Sequence, residues 1–135
     1  MKKYLALLAL ASLGAQAQTV NSIELSTDTA QQMVTEGLKH CAKDGYHVTV
    51  AVVDRSGVLK ALARDELAGP HTIESARKKA YTSASLGRPT AEFANLIAEK
   101  PNLAGLRDMH PDILMLGGGM PVRVGDQLVG GIGIG

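Results

Sequence analysis

The side chains with the most chemical potential in this 135-residue chain are its four histidines, His40, His47, His71 and His110. Their spacing matches no zinc signature, and His40 and Cys41 point to different sides of a helix, so a structural zinc site is not expected. Imidazole acting alone remains. His71 is the most favourably placed, because Gly69-Pro70 forms a rigid turn before it and a helix starts after it, close to Asp65, Glu66 and Arg77. A turn of that kind can aim one imidazole into a pocket.

Three other patterns resemble catalytic or binding motifs and lack the context they need. Ser75-Ala76-Arg77-Lys78 has the S-x-x-K form of serine acylases, but neither S-D-N nor K-T-G occurs in the chain. A solvated helix face explains it. The run Gly130-Gly131-Ile132-Gly133-Ile134-Gly135 invites comparison with a dinucleotide fingerprint, which requires a following helix to receive a pyrophosphate; none follows. Its glycines suit the close approach of another backbone or of a flat ligand, and Gly117 to Gly119 suit a turn. Cys41 is the only cysteine and cannot close an internal disulfide; it reads as buried and inert.

The elements that must position these residues centre on His47 to Arg64. Val48 to Val53 is a nearly continuous β-branched run of the kind buried in a sheet, and Asp54-Arg55-Ser56-Gly57 supplies a turn into a second apolar run. The gap is too short for a crossover helix, so the two strands are antiparallel neighbours. Ahead of them, Ala30, Met33, Val34, Gly37, Leu38 and Cys41 repeat at helical spacing, with cap candidates at Ser26 to Asp28 and a stop at Gly45. After them, Thr72 caps a helix carrying Ile73, Ala76, Ala80 and Ala84, ended by Gly87 and Pro89; Thr90 caps a third with Phe93, Leu96 and Ile97, closed by Pro101. Short strands are predicted at Ile113 to Leu116, Val122 to Val124 and Leu128 to Ile134, the last two joined by Gly125-Asp126. The class is α+β, with a mostly antiparallel sheet of about five strands flanked by helices, in the order α-β-β-α-α-β-β-β.

Residues 1 to 17 stand apart. Lys2 and Lys3, the apolar run Leu5 to Leu13 and Ala15-Gln16-Ala17 have the three parts of a secretory signal, with cleavage after Ala17 and export to the periplasm or beyond. Residues 18 to 135 then form a single domain. Its loss of Lys2 and Lys3 turns 14 basic and 13 acidic residues into a slight acidic excess. Together with one phenylalanine, three tyrosines and no tryptophan, that balance argues against nucleic acid as a partner. So few aromatics leave a chiefly aliphatic core, which favours a homo-oligomer.

The run AVVDRSGVLKALARDELAGPHTIESARKKAYTSASLGRPTAEFANL, followed by LGGGMPVRVGDQLVGGIGIG, resembles the GlcG/HbpS haem-binding family, which is related to the C-terminal domain of a corrinoid adenosyltransferase. The resemblance covers nearly all of residues 18 to 135. It implies a small oligomeric protein that binds haem outside the cytoplasm, with haem degradation, sensing with a membrane partner, or binding of a corrinoid or small metabolite as further possibilities. It also implies a final glycine-rich turn and helix beyond the last strand, so a C-terminally truncated chain is expected. Lys79-Ala80-Tyr81-Thr82 matches a motif associated with iron ligation through its threonine, whereas His71 matches a position that is histidine in some members. Imidazole is the stronger haem ligand, which favours His71 as the metal ligand over Thr82. Arg64, Arg77 and Lys78 are cations available to the propionates.

Overall fold

A computed structural model describes residues 18–135; the expected signal segment lies outside the described residues. The elements are α1 (Thr27–Lys43), β1 (Thr49–Asp54), β2 (Leu59–Arg64), α2 (Thr72–Leu86), α3 (Thr90–Glu99), a 3-10 helix (Pro101–Asp108), β3 (Gly119–Val124) and β4 (Gln127–Ile134). The four strands form one sheet in the order β2-β1-β4-β3, antiparallel at every pairing. The α+β class and element order agree with the sequence reading, with four strands in place of about five.

The missing strand is Ile113 to Leu116. It has no sheet partner, because Ile113 and Met115 are buried with Ile97 against Phe93, Leu103 and Leu106. An apolar run bounded by turns satisfies either a strand or a loop pinned by its side chains, and here the cluster formed with α3 and the 3-10 helix prevails.

Central strand β1 is buried on both faces. Val50 and Val52 pack with Ala30 and Val34 of α1, while Ala51 and Val53 pack with Ala76, Ala80 and Ala84 of α2. The sheet is therefore the middle of three layers. Ser26 caps α1, its Oγ accepting from the Thr29 N–H at 3.1 Å, and Gly45 turns the chain at φ 80°. Cys41 is half-buried rather than buried.

Thr72 and Thr90 do not act as caps. The position before each helix is His71 or Pro89, and neither makes a side-chain capping bond. The two threonines sit one residue inside and turn inward: Thr72 Oγ1 bonds Gly69 O at 2.6 Å and Thr49 Oγ1 at 2.7 Å. Thr90 Oγ1 donates to Leu116 O at 2.6 Å and accepts from Gly119 N at 2.8 Å. Each hydroxyl links a helix start to a distant segment.

The glycines of β4, with Gly135 just after it, explain how α2 sits on the sheet. A Cβ on Gly131 would lie 2.3 Å from Ala80 O, one on Gly133 2.1 Å from Ala76 O, and one on Gly135 2.4 Å from Thr72 O. Every second strand residue thus meets every fourth helix residue, which is the match between the two repeats. Here the glycines admit a backbone, and that backbone is α2.

Candidate functional site

Helix α2 carries most of the residues singled out in the sequence, and its 100° rotation per residue separates them. In Lys79-Ala80-Tyr81-Thr82, each side chain serves a different segment. Lys79 Nζ donates to Ile134 O at 2.9 Å, and Ala80 lies under β4. Tyr81 stacks on His110 with ring centroids 5.1 Å apart and also packs against Gly57. Thr82 is fully buried, with Oγ1 donating to Lys78 O and accepting from Leu114 N, both at 2.8 Å.

The Thr82 hydroxyl is thereby committed as donor and acceptor inside the protein. His71 differs: its ring is exposed and lies over Gly69, where a Cβ would come within 2.6 Å of Cε1. The two are eleven residues apart along α2, about 16 Å by helical rise, so one iron cannot take both from the same chain.

Arg64, the last residue of β2, is bonded to the loop that leads into α2. Arg64 Nη1 donates to Ala68 O, three residues before the histidine. Arg77 and Lys78 lie further along α2. Arg77 is held by Asp112 at 2.7 Å and Glu74 at 2.8 Å, and these hydrogen-bonded carboxylates, Asp112 first, raise its pKa above the ordinary arginine value. The Arg77 hydrogen bond in turn holds Asp112 below the usual carboxylate range. Arg77 is thus a clamp on the segment covering the outer face of α2, while Lys78 is half-buried beside it.

The same β2–α2 loop gathers a residue that sequence spacing did not single out. His47 Nδ1 lies 2.8 Å from Asp65 Oδ1, although 18 positions separate them. Asp65 also accepts from Leu67 N at 2.9 Å, and that bond is the leading reason its pKa is lowered. A carboxylate on Nδ1 orients the ring with Nε2 outward, as around many metal-bound histidines. Only the pairing of β1 with β2 places these two residues together, so no local pattern announces them.

The residue range of the fold coincides with a family model described as "Haem degrading protein HbpS-like", which matches residues 25–135. The chain belongs to this family. Protein GlcG of Escherichia coli K12 is 29% identical over 110 residues, covering 82% of this chain and 80% of that protein. Among solved structures, a double mutant of Streptomyces reticuli HbpS is 37% identical with a TM-score of 0.80, covering 94% of this chain and 85% of that one. A complex of PduOC with haem is 26% identical with a TM-score of 0.76, covering 84% of this chain and 83% of that one.

For this HbpS-like chain, haem fits some of its residues better than others. Exposed His71, on its rigid turn, suits an iron ligand, and Arg64, at the end of β2 and bonded to the same loop, suits a carboxylate. Buried Thr82, packed with its hydroxyl between Lys78 O and Leu114 N, does not face an external iron. Four surface cavities of about 190 to 380 Å³ include none of His71, Arg64, Arg77, Lys78 or Thr82 among their lining residues. The His71 neighbourhood is a surface with exposed Leu67 and Pro70 rather than an enclosed cleft.

Proposed function

We propose that this protein is an exported haem-binding protein in which His71 ligates the iron and the β2–α2 loop forms one wall of the site. The reading is carried by the exposed imidazole of His71, held across Gly69 by a rigid turn in a fold shared with a haem complex. Arg64, bonded to the β2–α2 loop, is a proposed propionate partner, as are Arg77 and Lys78 along α2. His47, oriented by Asp65, is a second imidazole that would be available to hold the iron.

Haem supplies the redox-active, ligand-binding iron; the chain's own part is to present imidazole nitrogen and to shield an apolar ring from water. One exposed wall shields one ring face, and binding sites for such ligands ordinarily enclose most of their surface. A second copy of the chain provides the other wall, so we read the functional form as a homo-oligomer. The signal-like residues Lys2 to Ala17 support export to the periplasm or beyond, where the protein would be free to act with a membrane partner.

The test is the visible spectrum of the hemin-loaded protein. His71→Ala should shift the Soret and visible bands and weaken binding, whereas His110→Ala should leave both nearly unchanged. If His71→Ala leaves the bands in place and Thr82→Val moves them, the ligand is Thr82. A second reading, prompted by the family's description, is haem breakdown. Ascorbate as reductant, with dioxygen as oxidant, should then convert bound haem to a verdohaem- or bilin-type product; survival of the haem would favour binding or sensing. A spectrum unaltered by the protein would point to a corrinoid or small-metabolite ligand instead.

A further inference from the structure

One of the surface cavities lies between the β1–β2 turn and α2, and its lining suits an anion. It measures about 210 Å³ and is bounded by Arg55, Ser56 and Gly57 of the turn and by Tyr81 and Ser85 of the helix. Among the described residues no carboxylate lines it. Tyr81 and Ser85 stand four residues apart and so share one face of α2. Arg55, Ser56 and Ser85 are exposed, which leaves the cavity within reach of a ligand from solvent.

Both walls are fixed before any ligand arrives. Asp54 anchors the turn: its Oδ1 accepts from Ser56 N at 2.8 Å and from Val58 N at 3.0 Å, while Asp54 N donates to Val58 O at 2.9 Å and Gly57 N to Asp54 O at 3.0 Å. The carboxylate next in sequence to Arg55 is thus turned to the backbone, and among the described residues Arg55 forms no ion pair. Gly57, at φ 80°, lies against the Tyr81 ring, where a Cβ would come within 2.6 Å of Cδ2. The ring also stacks on His110, with centroids 5.1 Å apart. The tyrosine therefore sets the separation of turn and helix.

The bonding capacity left in that space is one guanidinium and three hydroxyls. Among the described residues, the Ser56, Ser85 and Tyr81 hydroxyls make no hydrogen bond within the protein. A guanidinium presents a fork of donors to an oxyanion, and each hydroxyl adds a donor of its own. A carboxylate has two oxygens in one plane and is used up by the fork, whereas a tetrahedral phosphoryl group directs a further oxygen elsewhere, for hydroxyls to meet. The volume equals the liquid share of about seven waters, and drug-sized ligands ordinarily take about 300 Å³ or more. A small ligand fits and a porphyrin does not.

We propose that this cavity binds the phosphoryl group of a small phosphate monoester, with Arg55 as the cation and the Ser56 and Ser85 hydroxyls serving it from the turn and from the helix. The assignment is independent of the haem reading, since none of the residues proposed for haem lines this cavity.

The experiment follows the Ser56, Gly57 and Ser85 amides of the purified protein by NMR during titration with inorganic phosphate and with methyl phosphate, at neutral pH and constant ionic strength. Both should give a saturable shift of all three signals, with methyl phosphate binding at least as tightly. Acetate at the same concentration should give a shift at least threefold smaller. Arg55→Met should weaken methyl phosphate binding about tenfold, as for loss of a charged hydrogen-bonding partner, and Arg55→Lys, which keeps the charge without the fork, should recover only part of the loss. Ser85→Ala should weaken binding about threefold. Arg88→Met removes a cation already paired with Glu92 and should leave binding unchanged. Absence of a saturable shift in the parent protein, undiminished binding by Arg55→Met, or equal weakening by Arg88→Met overturns the site. Undiminished binding by Ser85→Ala overturns the part given to the helix. An acetate response equal to that of phosphate overturns the phosphoryl assignment, and exclusion of methyl phosphate where inorganic phosphate binds overturns the monoester.

Discussion

Replacing Gly133 by alanine tests how α2 is seated on the sheet. The added Cβ would lie 2.1 Å from Ala76 O and 2.5 Å from Ala80 N, both of them backbone atoms of α2. No rotamer change relieves such a contact. Restoring ordinary van der Waals separation requires helix and strand to part by about 1 Å, a gap that forfeits a quarter to a half of each contact between them. Ala76, Ala80 and Ala84 are all fully buried at that interface. Overpacking ordinarily costs about 1 to 3 kcal/mol, and a rigid backbone on the opposing side puts this case near the top, about 3 kcal/mol. For a domain of this size that lowers the melting temperature by about 12 °C. Urea unfolding followed by circular dichroism measures the difference, with Gly105→Ala as reference because nothing lies within 4 Å of its added Cβ. Equal urea midpoints for Gly133→Ala and the parent protein would refute the close backbone seating.

Thr82→Val should destabilise the fold by about 1 to 3 kcal/mol, because the Leu114 amide loses its acceptor in a buried place; hydrogen exchange at Leu114 should accelerate, and unchanged protection would contradict this role. Asp112 has its pKa lowered by the Arg77 hydrogen bond, so its contribution is present above the unfolded value of 3.8 and is lost as pH falls through the lower folded value. Asp112→Asn should therefore cost about 1 kcal/mol at neutral pH and make stability less sensitive to acid below pH 4, measured by urea midpoints at several pH values. Lys79 has the opposite alkaline behaviour: its folded pKa lies below the unfolded 10.5, so the unfolded chain binds the extra proton between the two values and stability contributed by this group rises with pH there. Lys79→Met should remove that rise.

The fold was legible wherever one local pattern admitted one partner. The β-branched run of β1, the Asp54 to Gly57 turn and the alanine line of α2 each name what must cover them, and the covering surfaces are the ones found. Ile113 to Leu116 failed because its apolar residues serve a side cluster that also needs the 3-10 helix at Pro101–Asp108, for which periodicity gives no signal. Thr72 and Thr90 failed for another reason. Threonine before an apolar helix is a good cap by local rules, but here buried segments offer the hydroxyls better partners than the helix's own amides.

The site was less legible because its chemistry depends on sidedness and on long-range pairing. Four consecutive letters, Lys79 to Thr82, look like one motif in sequence, yet a helix turns them towards β4, the sheet, the His110 ring and the Leu114 amide. Such a turn serves assembly as readily as ligand chemistry, since changing any one letter releases a different part of the structure. The motif alone therefore cannot assign Thr82 to iron. What separates the roles is which polar atoms are already engaged: the Thr82 hydroxyl donates to Lys78 O and accepts from Leu114 N, the Lys79 ammonium donates to Ile134 O, and the exposed His71 ring faces solvent. Free bonding capacity, rather than residue type, is the property that a ligand can use.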